Sequence, residues 1–343
     1  MFDHKHYVPI LRWKRAEWVA LGDLTMDDRK HVTPVVEPTP RSFQARDNKP
    51  APDPADVLTK NAVDIQKHWG EAPFFADLWH LDPALRVGNG THPLEFLAEQ
   101  ARSRSLALIP VTGLDRDRGY QRAVASIIAT DSRGACIRIH PAEVQSPDFS
   151  RNLSGLLNTL RLGMRDADCL LDYQVWQQGA PTIATLTSAI PRIDFWRTFT
   201  VASGAFPRDL TGFTIGQHCL PRFDWMGWRS QISNGPIPQR LPAFSDYTIQ
   251  HAVFAEPPER ANFSASIRYT SDDHWVIMRV RAFSKITAPV TISGRRMHNC
   301  CAPEVSIVGK ISALATSISI RWQHRRYARG IPKRGFARES TIT

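Results

Sequence analysis

The stretch APFFADL, residues 72–78, is a short apolar run that ends in a carboxylate, Asp77. A run of this length without polar alternation is typical of a parallel strand covered on both faces. The following stretch, HPLEFLAEQARSRS at 92–105, has the spacing of an amphipathic helix, and Pro93 suits its first turn. A buried strand followed by a helix is the repeating unit of an α/β protein.

The same strand–helix unit recurs along the chain. Apolar runs predict eight strands, at residues 7–13, 32–38, 72–78, 107–113, 134–140, 168–174, 197–203 and 244–251. Helical patterns separate them, including one at 146–163 with Ser146 as its expected N-cap. This order predicts a TIM-barrel-like (β/α)8 domain. An open doubly wound sheet is the alternative, although no GxGxxG follows the first strand as its dinucleotide-binding form would require.

The pattern changes after the eighth strand. The runs SASIRYT and HWVIMRVR flank a short polar segment, SDD, which predicts a β-hairpin over residues 264–281. We therefore expect one domain over residues 5–282 that includes this hairpin, followed by a basic, poorly ordered tail at 283–343.

The net charge of +10 is concentrated in that tail. Residues 283–343 hold 11 Lys and Arg against 2 Asp and Glu, which leaves 32 against 31 for the rest of the chain. The body of the protein is thus close to neutral. A nucleic-acid partner is expected only if the tail is the natural sequence.

The remaining composition favours a cytoplasmic protein. No apolar run is long enough for a membrane helix, and the first residues lack the apolar core of a secretory signal. The five Cys residues are not arranged as spaced pairs, which argues against a disulfide framework and against a zinc site. We expect no membrane partner, and the residues identify no cofactor.

The candidate site consists of residues that follow the strands, because side chains at the carboxyl ends of barrel strands converge on one mouth. The residues expected to be catalytic are Asp77, Asp115 and Asp246. Those expected to bind a ligand are Lys14, Glu37, Arg116, Arg138, Asp172, Tyr247, His251, Arg268 and Tyr269. Each residue taken singly also fits a solvated rim position, so the prediction depends on their convergence.

Several functions fit such a mouth. Arg side chains suit an anionic, phosphate-bearing ligand, with a carboxylate as acid or base. One alternative is phosphoester hydrolysis, in which the three Asp act as acid, base or metal ligands while Arg138 and Arg268 hold the phosphate. A divalent metal bound by carboxylates is a further option, with Glu37, Asp77, Asp115 and Asp172 as its ligands. The other alternative is a non-catalytic interaction module that works with a separately encoded effector protein.

Six stretches, in this order, resemble the beta-protein family: YVPILRWKRAEWVAL, VTPVVEP, FFADLWHLD, IPVTGLDRD, FSDYTIQH and IRYTSDDHW. That family is named for a protein of T-even-type phages. The resemblance covers about residues 7–281 and implies a phage, mobile-element or phage-defence setting, but no particular reaction. Most of the candidate site residues lie in these stretches, so the resemblance implies a shared site.

The end of the chain departs from the family pattern. Family members resemble one another in a closing motif, G-N-x-T-T-W-R-x-x-G-x-N-H-H, which this sequence lacks. Back-translation of residues 329–343 in a shifted frame permits that motif at the same spacing. We therefore expect the segment after about Arg281 to be translated out of frame, so that its basic charge is no evidence for a polyanion partner.

Overall fold

A computed structural model describes residues 2–45, 50–88, 90–236, 238–255 and 266–279, and the backbone of 290–292, 307–309 and 340–342. The chain divides into two compact units. The first comprises Met1–Arg208 and Phe223–Phe254, and the second Asp209–Arg222 and Ala255–Thr343. The hairpin that the sequence analysis assigns to the domain 5–282 belongs to the second unit.

The first unit alternates strands and helices, numbered here in chain order. Its strands are β1 (Ile10–Leu11), β2 (Val35–Val36), β3 (Phe74–Ala76), β4 (Leu108–Thr112), β5 (Ala135–Ile139), β6 (Ala167–Val175), β7 (Thr198–Gly204) and β9 (Ala243–Ser245). Its α-helices are α1 (Arg15–Gly22), α2 (Met26–Arg29), α3 (Pro54–His68), α4 (Pro93–Arg102), α5 (Arg118–Asp131), α6 (Pro141–Val144), α7 (Phe149–Leu160), α8 (Ile183–Ala189) and α9 (Phe223–Asn234). Each predicted strand run contains or overlaps one of these strands.

These eight strands form one sheet in which every neighbouring pair is parallel. The order in the sheet follows the order in the chain, β1-β2-β3-β4-β5-β6-β7-β9. A doubly wound sheet would reverse its strand order at a switch point, and this sheet does not. The mixed α/β arrangement is compatible with the TIM-like fold predicted from the sequence.

Hydrogen bonds also connect the first and last strands of the sheet. Tyr7 forms a parallel bridge with Phe244. The Val8 N–H donates to the carbonyl oxygen of Phe244 at 3.0 Å, and the Ile10 N–H donates to that of Asp246 at 2.9 Å.

The two faces of the sheet carry separate apolar clusters, because side chains alternate along each strand. One cluster takes a buried residue from every strand of the sheet: Ile10, Val35, Phe75, Val111, Cys136, Leu170, Ala202 and Ala243. The other, larger cluster joins the opposite face to the helices: it contains Leu11 and Val36 of the sheet as well as Leu94 and Leu97 of α4.

Local sequence signals explain most helix starts. Asp117 caps α5, because its carboxylate accepts from the N–H groups of Gly119 at 2.6 Å and Tyr120 at 3.0 Å. Pro93 occupies the first turn of α4, as predicted. The prediction of Ser146 as an N-cap is wrong: α7 begins at Phe149, with Asp148 at the N-cap position. A separate short helix, α6, ends at Val144, just before the predicted cap.

The second unit contains β8 (Gly216–Pro221), β10 (Ser266–Thr270), β11 (His274–Arg279), β12 (Val290–Ile292), β13 (Ile307–Gly309) and β14 (Ser340–Ile342). Strands β10 and β11 are antiparallel neighbours, which confirms the predicted hairpin. Strand β8, which the sequence analysis did not predict, pairs with β11. The predicted out-of-frame, poorly ordered tail lies outside the described residues, apart from the backbone of β12, β13 and β14.

No helix in the described part of the chain has the length and apolar character needed to cross a bilayer.

Candidate functional site

A layer of charged side chains lies at the carboxyl ends of the strands. Each charged residue comes two positions after an apolar residue of the eight-strand cluster, so it projects from the same face of the sheet. The pairs are Ile10 with Arg12, Val35 with Glu37, Phe75 with Asp77, Cys136 with Arg138, and Leu170 with Asp172. The five charged residues are all buried.

Arg138 is the centre of this layer. Its Nη1 donates to Glu37 Oε1 at 2.6 Å and to Asp77 Oδ2 at 2.9 Å. Its Nε and Nη2 donate to Asp172 Oδ2 at 2.9 and 2.7 Å, and Nη2 also donates to the Tyr247 hydroxyl at 2.8 Å. A guanidinium group has five N–H donors, so none of those of Arg138 is left for a ligand.

Arg12 extends the layer on one side. Its Nη1 donates to Glu37 Oε2 at 2.6 Å, and it also contacts His80 Nε2 and the carbonyl oxygen of Ala252. The indole N–H of Trp79 donates to the same His80 Nε2 at 2.6 Å. The same His80 Nε2 lies 3.3 Å from Glu37 Oε2, so His80 contacts both Arg12 and its carboxylate partner.

Arg116 extends the layer on the other side. Its Nη2 donates to both Asp77 oxygens, at 3.2 and 3.0 Å, and its Nη1 donates to Asp115 Oδ1 at 2.5 Å. The Tyr120 hydroxyl donates to Asp77 Oδ1 at 3.3 Å. Asp77 is therefore held by Arg116, Arg138 and Tyr120 together.

Short turns fix the carboxylates of three strand ends. Oδ1 of Asp77, Asp172 and Asp246 accepts from the N–H two residues later, at 3.1, 2.8 and 2.9 Å. Two of those later residues, Gln174 and Thr248, have a left-handed φ of 56°. Strained backbone of this kind is common near functional sites, where the surroundings must hold it in place.

The layer is electrically balanced. Three guanidinium groups, of Arg12, Arg116 and Arg138, face three carboxylates, of Glu37, Asp77 and Asp172. Burial by itself would raise the pKa of Glu37, but Arg12 and Arg138 outweigh it and hold that pKa well below its ordinary value.

Aromatic rings cover the charged layer. Trp79 lies over the guanidinium carbons of Arg116 and Arg138, each 4.8 Å from a ring centroid. His140 stacks on Trp79 with centroids 5.9 Å apart. His80 packs against Trp79 at 4.9 Å and against Phe254 at 5.3 Å. This cover explains why charged groups at strand ends, where water is usually near, are almost fully buried.

A pocket of about 170 Å³ opens beside the cover. Its lining is partly apolar and partly charged: Leu78, Trp79, Leu81, Asp82, Pro83, His92, Pro93, Asp115, Arg116, Asp117 and Tyr120. The side chain of Asp115 is 38% exposed, whereas that of Asp77 is 0% exposed. Asp115 is thus the expected catalytic carboxylate that a ligand in this pocket can reach.

Asp246 was also expected to be catalytic, but it lies outside the charged layer. It neighbours Tyr247, and its side chain points to the other face, where Oδ1 accepts from the Tyr7 hydroxyl at 2.6 Å. Successive residues of a strand point to opposite faces, so Tyr247 can join the layer only if Asp246 does not.

The other expected ligand-binding residues have separate partners. Lys14 Nζ donates to Gln250 Oε1 at 3.0 Å, and His251 Nδ1 accepts from the Val253 N–H at 3.2 Å. Arg268 and Tyr269 lie on β10 of the second unit. The charged layer, in contrast, is built entirely from residues of the first unit.

The expected metal ligands do not form a metal site here. Glu37, Asp77 and Asp172 each accept hydrogen bonds from Arg138. Within the described ranges, no group of three or more His, Cys, Asp or Glu side chains is arranged to hold a metal ion.

Four residues of the site were not predicted from the sequence: Arg12, Trp79, His80 and Tyr120. Lys14 was chosen at the end of the first apolar run, whereas β1 ends at Leu11 and the next residue on the same face as Ile10 is Arg12. Counting two residues on from each inward apolar residue would have found Arg12. Trp79, His80 and Tyr120 reach the layer from a loop and a helix, and no strand pattern indicates them.

Together, the fold and the site define an α/β protein with eight parallel strands in chain order and a buried, charge-paired layer at their carboxyl ends. The chain belongs to the Beta protein family, whose family model matches residues 7–302. This match confirms the resemblance found in the sequence and continues 21 residues beyond residue 281, where that resemblance ended. A comparison with curated proteins finds no match.

Proposed function

We propose that the sheet closes into a barrel whose mouth is a binding site for a small polar ligand. The hydrogen bonds from Val8 and Ile10 to the last strand support closure. So does the parallel bridge between Tyr7 and Phe244.

The pocket beside the charged layer is the main support for a binding site. It combines rings, from Trp79, Tyr120 and His92, with a half-exposed carboxylate, Asp115, and a buried cation, Arg116. Arg138 is not part of the pocket lining. All its N–H donors are bonded within the charged layer, so none is available to a ligand. Pockets with a largely apolar wall and a few fixed polar groups are the usual form of small-molecule sites.

The charges of the pocket favour a ligand that donates hydrogen bonds over the phosphate-bearing ligand expected from the sequence. The lining contains three carboxylates, of Asp82, Asp115 and Asp117, and one guanidinium, of Arg116. Arg116 already pairs with Asp77 and Asp115. A phosphate would therefore meet more negative than positive charge, whereas a hydroxyl or amine group can donate to Asp115.

A thermal-shift screen tests this proposal. The full chain is heated with neutral polyols, amines and phosphate-bearing metabolites, and hits are repeated with Asp115→Asn and with the exposed-site control Glu99→Gln. A ligand at a hundredfold excess over its Kd adds about 2.7 kcal/mol, which raises Tm by several degrees. We expect hydroxyl- or amine-bearing ligands to give this shift in the wild type and in Glu99→Gln, and to lose it in Asp115→Asn.

Phosphate-bearing compounds that gave the largest shift, and a larger one still in Asp115→Asn, would contradict the ligand class. Hits whose shift is equal in all three proteins would contradict the location of the site.

The phage or phage-defence setting, which the family resemblance implies, and a separately encoded effector as partner both remain predictions. Plating efficiency of a phage panel on cells that carry the intact gene, or the gene with Asp115→Asn, tests the setting. Equal plating on both strains and on an empty-vector strain would count against it.

A further inference from the structure

His92 lies in the lining of the pocket and also caps the start of α4. Its Nδ1 accepts a hydrogen bond from the backbone N–H of Leu94 at 3.2 Å. A ring nitrogen that accepts a hydrogen bond carries no proton, and a neutral imidazole carries one proton in total. That proton is therefore on Nε2, which makes Nε2 a hydrogen-bond donor.

The surroundings of this ring favour its neutral form. A proton on Nδ1 would face the N–H of Leu94 and break the cap, and the partial positive charge at the start of a helix also disfavours an imidazolium. Burial, and then the charge of Arg86, lower the pKa of His92, although the carboxylates of Glu95 and Asp117 act in the opposite direction. We therefore expect His92 to present a neutral Nε2–H group at neutral pH.

This donor is available, whereas the other side-chain donors that line the pocket are used or enclosed. The indole N–H of Trp79 and the hydroxyl of Tyr120 both donate within the protein. Arg116 donates from both Nη atoms to carboxylates, and its Nε, which has no partner, is enclosed by protein. Among the described residues His92 Nε2 has no partner either, but it is not enclosed, so it is accessible to a ligand.

The edge of the pocket also holds the imidazole in place. Tyr120 packs against His92 edge to face, with ring centroids 5.3 Å apart and an interplanar angle of 83°. With Nδ1 bonded to the helix and the ring packed on Tyr120, His92 presents its Nε2–H group in a fixed orientation. A donor that is already oriented loses little freedom when it binds an acceptor.

The donor of His92 and the carboxylate of Asp115 offer complementary groups within one lining. The side chain of Asp115 is 38% exposed and accepts from a hydroxyl or amine group, whereas His92 offers an N–H group to an oxygen acceptor. A neutral N–H group does not balance a charged acceptor, so the carboxylates of the lining still disfavour phosphate. A carbonyl oxygen is neutral and can only accept, so it suits His92 and is unsuited to a position facing a carboxylate.

We propose that His92 is a specificity-determining residue, which selects ligands that carry a neutral carbonyl oxygen as well as the hydroxyl or amine group bound by Asp115. Hydroxy ketones and hydroxy amides are ligands of this class. The inference rests on the proposed function and narrows its ligand class. It requires two hydrogen bonds and no covalent step.

Two variants separate the role of His92 at the helix from its role in the pocket. In His92→Asn the side-chain oxygen can still cap α4, but the Nε2 donor is lost. In His92→Gln the cap is lost, but the longer amide N–H can take the place of Nε2–H. We expect His92→Gln to lower Tm by a few degrees and His92→Asn to leave it unchanged.

Binding to the full chain is measured by ligand-observed NMR titration with two matched pairs of probes. Dihydroxyacetone is compared with 2-methylidene-1,3-propanediol, and hydroxyacetone with 2-methylprop-2-en-1-ol, so that each pair differs only by C=O in place of C=CH2. One neutral hydrogen bond corresponds to about fivefold in Kd. We expect the ketone to bind about fivefold more tightly in the wild type and in His92→Gln, and this preference to disappear in His92→Asn.

The outcomes separate this inference from the proposed function. Equal binding of ketone and alkene, lost for both in Asp115→Asn, would overturn the inference alone. A ketone preference that persists in His92→Asn would also overturn it. Binding of neither pair to the wild type would count against both proposals.

Nitrogen-15 NMR of the ligand-free chain checks the donor without any ligand, with His92→Asn to identify the signal. A neutral ring with its proton on Nε2 at about pH 7 is the expected result. A proton on Nδ1, or an imidazolium at that pH, would overturn the inference whether or not a ligand binds.

Discussion

At both ends of the parallel sheet an Arg side chain pairs with carboxylates, but the two sets of pairs connect different parts of the fold. At the amino end, Arg197 Nε and Nη2 donate to the two oxygens of Asp168 at 3.0 and 2.5 Å, and the Thr198 hydroxyl donates to Oδ1 at 2.7 Å. Arg197 Nη1 adds a bond to the Arg133 carbonyl oxygen at 2.7 Å. This cluster ties the starts of β6 and β7 to the segment before β5.

At the carboxyl end, Arg138 donates hydrogen bonds to four residues that come from different strands and loops. The amino-end pair is local, whereas the carboxyl-end layer joins residues as far apart as Glu37 and Tyr247. The carboxyl-end layer borders a pocket that contains an accessible carboxylate, Asp115. We therefore expect the charge pairs at the amino end to serve stability, and those at the carboxyl end to support the proposed binding site as well.

The largest expected effect comes from removing the central cation of the carboxyl end. Arg138→Met leaves three buried carboxylates around an uncharged side chain and should lower the free energy of unfolding by about 3–5 kcal/mol. Arg197→Met, which breaks a partly exposed pair, should cost about 1–2 kcal/mol. Urea unfolding measures both, with Arg151→Met at an exposed pair as the control near zero. Equal losses in Arg138→Met and Arg197→Met would remove the distinction between the two ends.

Lowering the pH should remove the stabilising contributions of the two ends over different pH ranges. His6, near the start of β1, has its pKa lowered to about 4 by burial and by His31. Its contribution to the free energy of unfolding is therefore complete above the ordinary pKa of a His and is lost as the pH falls towards 4. Glu37 at the carboxyl end also has a lowered pKa, so its contribution is lost only below the ordinary range of a Glu, about 4.3.

Unfolding free energies measured from pH 7 to pH 3 check this order. We expect His6→Gln to flatten the curve between about pH 6.5 and 4, and Glu37→Gln to flatten it below about pH 4.3. If Glu37→Gln changed the slope near neutral pH, its carboxyl group would not be held ionised by Arg12 and Arg138.

The smallest expected effect on stability is at Asp115. Its side chain is 38% exposed, so Asp115→Asn should change the free energy of unfolding by less than about 1 kcal/mol. The same change should remove ligand binding, which makes it the sharpest separation of stability from function at the carboxyl end. A loss comparable to that of Arg138→Met would show that Asp115 belongs to the structural layer.

Much of the fold follows from local signals in the sequence. Apolar runs such as APFFADL indicate the parallel strands, and caps such as Asp117 and Pro93 mark helix starts. Strand β8 is the clear omission. Its residues, GQHCLP, carry no apolar run, and they form a strand because β11 pairs with them.

The candidate site could be predicted only in part. Glu37, Asp77, Arg138 and Asp172 were found because a charge at a strand end is visible in the sequence. Their roles could not be predicted, because the hydrogen-bond partners and the exposure of a side chain depend on residues that are distant in the chain. Asp77 and Asp115 are both carboxylates after strands, yet one is enclosed and the other faces the pocket.

The sequence alone determined the strand–helix repeat, its order and the charged residues that close the strands, because periodicity and capping act over a few residues. Tertiary structure decided which charges pair, which lie under Trp79 and which remain accessible. Those outcomes require the carboxyl ends of separate strands to meet, and hydrogen bonds such as that from Arg138 to Glu37 form only when the sheet brings these residues within 3 Å of each other.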